Sequence, residues 1–373
     1  MRMGTGEDGK NDAPRPIDTP WFGTLRAPDR SRSGHPMKKV IVTGGAGFIG
    51  SHTCVELVAA GFEPIIIDDL RNSEARALDG IARIIGRKPV FHRVDCNDAA
   101  AMERVFEQEG EVFGVIHFAA DKAVGESVEQ PLKYYRNNIG SLVVLLELMQ
   151  RCGIDRLVFS SSCTVYGTTA QLPATESTPA GMANSPYGYT KVVCERMLRD
   201  QCVARPELRA VLLRYFNPIG AHPSAAIGEL PIGVPNNLIP FITQTAAGIR
   251  KQLTVFGDDH DTPDGSCIRD FIHVVDLAKA HVRALQWMEE QERPMCEVFN
   301  IGTGKGHSVL EVVRTFTEVT GVDLAYVIGP RRAGDVAAMY ADTTKSREVL
   351  GWTAQLTLAD ALKDAWRWQL SLQ

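Results

Sequence analysis

The chain of 373 residues carries 40 Lys and Arg against 45 Asp and Glu, with 44% hydrophobic and 23% charged residues, which predicts a globular protein of two domains or one large elaborated α/β domain. A formal charge of −5 excludes a general electrostatic pull toward nucleic acid or anionic lipid, and no apolar run reaches the ~18 residues of a membrane span. Eight scattered cysteines without a C-x-x-C pair argue against a disulfide scaffold or a zinc site and suit reduced intracellular thiols.

Residues 1–36 read apart from the rest, with Pro14, Pro16, Pro20, Pro28 and Pro36 and only Trp21–Phe22 as a bulky apolar pair. Such a segment cannot bury enough surface to offset its ordering entropy and is expected to be a disordered extension. It lacks an apolar h-region and carries acidic residues, which argues against a secretory signal or an organellar transit peptide. Met37 is an alternative start that would make it dispensable. From Lys38 strand and helix patterns alternate. Lys39–Val42, Glu63–Ile67, Gly114–Phe118, Arg156–Ser160 and Ala210–Arg214 read as short buried strands. Ser51–Ala60, Ala99–Gln108, Ile139–Cys152 and Lys191–Arg199 read as helices. The alternation predicts right-handed βαβ units, hence an α/β fold built on a doubly wound parallel sheet. After Pro218 the texture turns to Pro, Gly and shorter elements. A boundary there gives a first domain over 37–218 and a smaller α/β domain over 219–373, with the chain crossing back near 270–275.

The first strand runs into Thr43-Gly-Gly-Ala-Gly-Phe-Ile-Gly50, so Gly44, Gly47 and Gly50 are spaced as G-x-x-G-x-x-G before an apolar-periodic helix. Gly44 permits a tight turn, Gly47 lets the backbone approach a pyrophosphate, and Gly50 lets helix and strand pack closely. Alone the triplet is a weak signal; between a strand and a helix it reads as a Rossmann dinucleotide fingerprint. The second strand ends in Asp68-Asp69, 18 residues beyond Gly50. A carboxylate there accepts hydrogen bonds from an adenosine ribose and repels a 2′-phosphate, so NAD is expected over NADP. Asp68 also suits a plain turn, and Arg71 could neutralise a phosphate.

Phe159-Ser-Ser-Ser162-Cys-Thr-Val-Tyr-Gly167 closes a strand at the sheet edge where open α/β folds bind ligands. Tyr187-Gly-Tyr-Thr-Lys191 precedes a helical stretch, and i,i+4 spacing sets Lys191 beside Tyr187. A phenol titrates at about 10; an adjacent ammonium and a cationic nicotinamide are expected to lower that and make Tyr187 a base near neutrality. Ser162 is placed to hydrogen-bond a substrate hydroxyl. Ser160 and Ser161 read as turn formers and Tyr166 as packing. Y-x-x-x-K by itself arises often by chance.

Together, Thr43–Gly50, Phe159–Gly167 and Ser185–Lys191 resemble the extended short-chain dehydrogenase/reductase family. Ala119–Ser127, Leu213–His222, Pro235–Leu238 and Pro330–Asp335 narrow the resemblance to its UDP-glucose 4-epimerase branch, from about Lys38 to the end. The resemblance implies a catalytic set of Ser162, Tyr187 and Lys191. It implies that NAD is held by the glycine turn with Phe48 and Ile49, by the run Asp68, Asp69, Leu70, Arg71 and Asn72, and by Asp95, Cys96, Phe118, Ala119, Lys122, Asn137 and Tyr215. The UDP-sugar then falls to Lys122, Phe216, Asn217, Asn237, Leu238, Thr254, Val255, Phe256, Arg269, Arg332, Asp335 and Met339, beside Ser162 and Tyr187. Two arginines brought together suit a diphosphate, although singly each reads as a surface ion-pair residue. Met339 falls where the family gates its sugar pocket by side-chain size, implying good UDP-glucose and UDP-galactose activity with weak or absent UDP-GlcNAc activity. His52, His222 and His273 are expected to pack or cap, and no metal is implied.

The implied reaction interconverts UDP-galactose and UDP-glucose. Tyr187 as phenolate takes the C4 hydroxyl proton while hydride moves to NAD, the keto sugar turns over with UDP anchored, and hydride returns to the opposite face. A cytoplasmic homodimer is also implied. Ile139–Cys152 and Lys191–Cys202 carry more apolar residues than one buried stripe requires, with burial inside the monomer as the alternative. A nucleotide-sugar 4,6-dehydratase of the same family needs an Asp-Glu pair where this chain has Cys163 and Thr164. A GDP-sugar epimerase/reductase places a cysteine like Cys163 there, although a small buried apolar residue is the plainer reading. A non-catalytic NAD-sensing regulator would keep the glycines but has no use for Ser162, Tyr187 and Lys191 together.

Overall fold

The computed structural model describes residues 37–169, 171–291, 293–332 and 335–373; the extension expected over 1–36 lies outside the described residues. Lys38–Thr43 (β1) opens with two surface lysines and buries its last four residues, as in a parallel strand covered on both faces. Phe48–Ala59 (α1) begins three residues before the expected Ser51, because Gly47 adopts the extended N-cap conformation. Phe62–Ile67 (β2), Arg76–Ile85 (α2), Val90–His92 (β3), Ala99–Glu109 (α3) and Gly114–His117 (β4) continue the alternation. Val124–Glu129 (α4), Pro131–Tyr134 (α5), a π-helical turn and Gly140–Arg151 (α6) lead to Arg156–Ser162 (β5). Beyond a 3₁₀ turn at Cys163–Tyr166 come Pro186–Ala204 (α7), Arg209–Tyr215 (β6) and Asn217–Ile219 (β7). The later elements are Leu238–Ala246 (α8), Leu253–Phe256 (β8), Ile268–Arg269 (β9), Phe271–His273 (β10), Val274–Glu289 (α9) and Met295–Ile301 (β11). His307–Ser308 (β12), Val309–Thr320 (α10), Tyr326–Gly329 (β13), Ala338–Met339 (β14) and Leu358–Leu370 (α11) complete the described chain.

Seven strands form one sheet in the order β11-β6-β5-β4-β1-β2-β3, and every pairing in it is parallel. The chain reverses direction of travel between β1 and β4, the switch point at whose strand ends doubly wound sheets bind ligands. Alternation along each strand builds two cores. Val40, Val42, Val158, Val211 and Leu213 face α1 and α9 through Leu57, Leu277 and Leu285. Ile41, Leu157, Phe159, Ala210 and Leu212 face α3, α6 and α7 through Met102, Leu145 and Leu198. After β6 the chain leaves the sheet and returns: β10 pairs with β7, and β11 closes the sheet beside β6. The remaining later residues enclose a smaller core that includes Ile239, Val255, Val312, Phe316 and Leu362.

Two expectations are corrected by local structure. Ser160 and Ser161 are not turn formers: they lie inside β5 and pair with Leu213 and Arg214 of β6. Tyr187 does not precede its helix but sits in the first turn of α7, because Ser185 accepts from the Gly188 N–H as N-cap and Pro186 stands just inside. His273 caps α9 by accepting from the Val275 N–H. Among the described residues no helix is long and apolar enough to cross a membrane.

Candidate active site

A cavity of about 830 Å³ opens beyond the C-terminal ends of β1, β2, β4, β5 and β6. One half is built on the glycine turn. Gly44 turns with φ +70°, and a Cβ on Gly50 would stand 2.3 Å from the Gly44 carbonyl oxygen, so helix and strand approach only without side chains. Gly47, Phe48, Ile49 and Gly50 line the cavity, and the N-terminus of α1 carries no side-chain cap. Its first-turn N–H groups and the helix dipole therefore offer a site for an anion.

Asp68 holds this half together. Its Oδ2 accepts from the Ala46 N–H at 3.1 Å, and its Oδ1 accepts from Leu70 N at 2.9 Å and Ser73 Oγ at 2.8 Å. Burial raises its pKa against those hydrogen bonds. Leu70 contributes only this backbone contact and does not reach the cavity wall. Arg71 is engaged by both Asp69 and Asp95, with Asn137 3.2 Å from its Nη1; its charge is thus already matched by carboxylates. Asn72, Cys96, Phe118, Ala119, Lys122 and Asn137 line the same wall. Asp121 was not anticipated: it accepts from Asn72 through Oδ1, and its Oδ2 is buried without a partner among the described residues. Uncapped N–H groups, a glycine cradle and a buried carboxylate oxygen awaiting a donor together fit a dinucleotide with hydroxyl-bearing riboses.

The other half meets it at β5. Lys191, buried, donates from Nζ to the Ser160 carbonyl at 2.8 Å and lies 4.9 Å from the centre of the Phe159 ring. Burial brings its pKa down to about 8. Burial pushes the Tyr187 phenol well above the ordinary range, with the neighbouring Ser162 hydroxyl pulling the other way. The expected lowering is thus reversed in the protein's own field, because desolvation of a buried phenolate outweighs the pull of Ser162. Ser162 lies just behind the wall, its Oγ accepting from Thr164 N at 3.2 Å and Thr164 Oγ1 at 2.9 Å. The Ser160 and Tyr215 hydroxyls pair at 2.7 Å. Cys163 lines the cavity, but burial pushes its thiol up to about 12, so it is a thiol rather than a nucleophile near neutrality.

Asn217, Asn237, Arg269, Arg332, Asp335 and Met339 line the far wall. Arg269 and Arg332 share the Asp335 carboxylate, at 3.5 and 3.0 Å. Besides Leu70 and Ser162, five expected contacts stand off the wall. Phe216 packs behind Met339 with Val165 and Tyr166, Leu238 and Val255 belong to the smaller core, and Thr254 sits beside them on β8. Phe256 is exposed under the Arg332 guanidinium, 5.7 Å from it. Glu229 was missed by sequence reasoning: it approaches Lys122 at 3.5 Å and accepts from Asn237, bridging the two halves. It sits in a Pro- and Gly-rich loop with no periodicity to mark it.

Residues 40–302 match the model of the NAD dependent epimerase/dehydratase family. The UDP-glucose 4-epimerase of Dictyostelium discoideum is 49% identical over 331 residues, covering 89% of this chain and 95% of its own length. A UDP-glucose-4-epimerase structure from Stenotrophomonas maltophila, with bound NAD and formylated UDP-arabinopyranose, superposes with a TM-score of 0.87 at 47% identity, covering 90% of this chain and 99% of its own. The Bifidobacterium longum UDP-glucose 4-epimerase in complex with NAD⁺ and UDP gives 0.86 at 47% identity, with 90% and 98% covered.

Proposed function

The chain belongs to the NAD dependent epimerase/dehydratase family, and we propose from its cavity how its residues divide the work. It is an NAD-dependent isomerase that interconverts UDP-galactose and UDP-glucose through transient oxidation at sugar C4. The observation that carries the assignment is the meeting of Tyr187 and Lys191 with the serine end of β5 on the cavity that the glycine turn opens.

The N-terminus of α1 takes the cofactor pyrophosphate, and the carboxylates at the end of β2 face its adenosine. Asn72, Lys122 and Asn137 line its path toward the nicotinamide end. NAD, when bound, supplies reversible hydride acceptance beside a positively charged ring. Tyr187 as phenolate accepts the proton of the C4 hydroxyl, with the Ser162 hydroxyl beside the same phenol. Lys191 lends positive charge to that phenolate, which burial alone opposes. Arg269, Arg332, Asn217 and Asn237 anchor UDP. The sugar itself meets the thioether of Met339, so a 4-keto sugar can turn over while UDP stays fixed and the proton returns from Tyr187 to the opposite alcohol. Dehydration lacks its carboxyl acid and base, since Cys163 and Thr164 stand where they are required.

We assign residues 37–218, with the returning 271–301 segment, to NAD binding and the rest of 219–373 to the UDP-sugar. Homodimerisation through α6 and α7 is supported by Val143, Tyr189 and Val203, which stand exposed on those helices. A cytoplasmic location suits the eight unpaired cysteines. Incubation with UDP-galactose and no added cofactor, followed by proton NMR, is expected to yield UDP-glucose toward a fixed ratio. Tyr187→Phe should lower the rate roughly 10²–10⁴-fold. Silence of the wild-type chain even with added NAD would move the assignment to another nucleotide sugar or to a regulator.

A further inference from the structure

Behind the reacting set runs a buried polar network that the mechanism above does not use. Ser160 and Ser162 of β5 serve Lys191, Tyr215 and Tyr187, whereas Ser161 points to the opposite face of the strand. There its hydroxyl donates to Glu195 Oε1 at 2.6 Å. Glu195 lies one turn beyond Lys191 on α7, so Tyr187, Lys191 and Glu195 repeat at i, i+4 and i+8 along one helix face. Arg214 of β6 grips the same carboxylate from the side, Nε to Oε1 at 2.8 Å and Nη2 to Oε2 at 2.6 Å, with both side chains buried. The Arg214 guanidinium also lies 4.9 Å from the Tyr166 ring centre and donates to the Tyr166 hydroxyl, which donates in turn to Asn300 of β11. One carboxylate thus joins α7 to β5 and β6, and through Arg214 and Tyr166 the network extends to β11.

Burying two charges costs about as much as pairing them returns, so such a pair is weak grounds for stability. We propose that Glu195 is a positioning residue, which through Ser161 and Arg214 pins the helix bearing Tyr187 and Lys191 against the strand bearing Ser162. The proposal rests on the reading of those three as the reacting set. Glu195 acts on Lys191 by charge as well. Burial brings Lys191 down, while Cys194 and Glu195 on its own helix hold it up. The other groups around Lys191 are Tyr187 on α7, the Ser160 carbonyl and Phe159 ring of β5, and His117 of β4, which burial keeps neutral. Around Glu195 stand Arg199 of α7 at 3.6 Å, Arg214 of β6 and Cys296 of β11.

The test replaces the pair together, Glu195→Leu with Arg214→Met, so that no buried charge is left alone. The double variant should keep its circular dichroism, its bound NAD and its KM for UDP-galactose. Its kcat should fall roughly 10–100-fold from misplacement of the reacting groups. Loss of the carboxylate that helps hold Lys191 up should also move the alkaline limb of its kcat–pH profile downward, because Lys191 then loses its proton more readily. A folded double variant with wild-type kcat and an unmoved limb overturns the proposal. Should the double variant not fold, Ser161→Ala decides: a lowered kcat at unchanged KM and unmoved limb supports the pin, and an unchanged kcat overturns it. A wild-type chain silent toward UDP-galactose overturns the reading of the site itself, before any variant is compared.

Discussion

In the proposed site, Met339 is the side chain that sets how much room the sugar has. It lines the cavity from β14, 6% exposed, and packs against Val165, Tyr166 and Phe216. A thioether on three rotatable bonds yields more readily than a ring and less completely than a small side chain. UDP-GlcNAc should therefore be a poor substrate beside UDP-galactose. Met339→Ala should raise the kcat/KM ratio of UDP-GlcNAc to UDP-galactose roughly tenfold, the scale on which pockets sense removed carbons. Equal wild-type rates on the two sugars would contradict this account. At this scale the sequence makes the Tyr187–Lys191 pair visible, because i,i+4 spacing is a local property. The sign of the Tyr187 shift was hidden, since it depends on how completely α7 is covered by distant residues. The roles of Asp121 and Glu229 were hidden for the same reason.

The glycine turn shows what an element can reveal in advance. Its spacing announced a cradle, and the structure separates its members by what a side chain would meet at each. A methyl on Gly50 would meet Gly44 O at 2.3 Å and Gly45 Cα at 2.8 Å, whereas one on Gly47 meets Gly44 O at 3.2 Å and nothing else within 4 Å. Gly50→Ala should therefore destabilise the fold by about 1–3 kcal/mol through overpacking between α1 and β1. Gly47→Ala should keep nearly the wild-type Tm yet lose NAD, because the added methyl occupies the approach of the pyrophosphate. Thermal unfolding and the NAD retained after gel filtration, measured on both variants, check the division; equal effects on both quantities would refute it. The five expected strands were legible because each packs at least three apolar residues into four or five positions between turn signals. The start of α7 is equally written in Ser185 as N-cap and Pro186 just inside it, a local signal as readable as the i,i+4 pair. Two-residue strands such as β9, β12 and β14 carry too few positions for any period to register. The return of the chain into the sheet at β11 depends on pairing with β6 across the whole of α8, α9 and the short strands among them, which no local pattern encodes.

Across the molecule, neutral histidines have been buried where a charge would have no partner. His52 lies on α1 against the His222 ring, His117 on β4 behind Lys191, and His281 on α9 against Phe118. Burial lowers their pKa values from 6.5 to about 3, 3 and 4. The unfolded chain takes up these protons as pH falls through 6.5, and the folded chain does so only near 3 to 4. Their stabilising contribution is therefore complete above pH 6.5 and is lost on acidification, at about 1.4 kcal/mol per pH unit for each group. Glu56, Asp68 and Asp270 act in the opposite sense, because burial raises their folded pKa values and the native state protonates first. They offset part of the loss without removing its histidine component. Urea unfolding at pH 7, 6 and 5, with NAD held at one concentration so that ligand linkage is constant, should show stability falling toward acid. His281→Phe keeps an aromatic ring against Phe118 and removes one titrating group, so its stability should fall less steeply, by about 1.4 kcal/mol per pH unit. Parallel slopes for variant and wild type would show that His281 does not carry a proton-linked share of the fold.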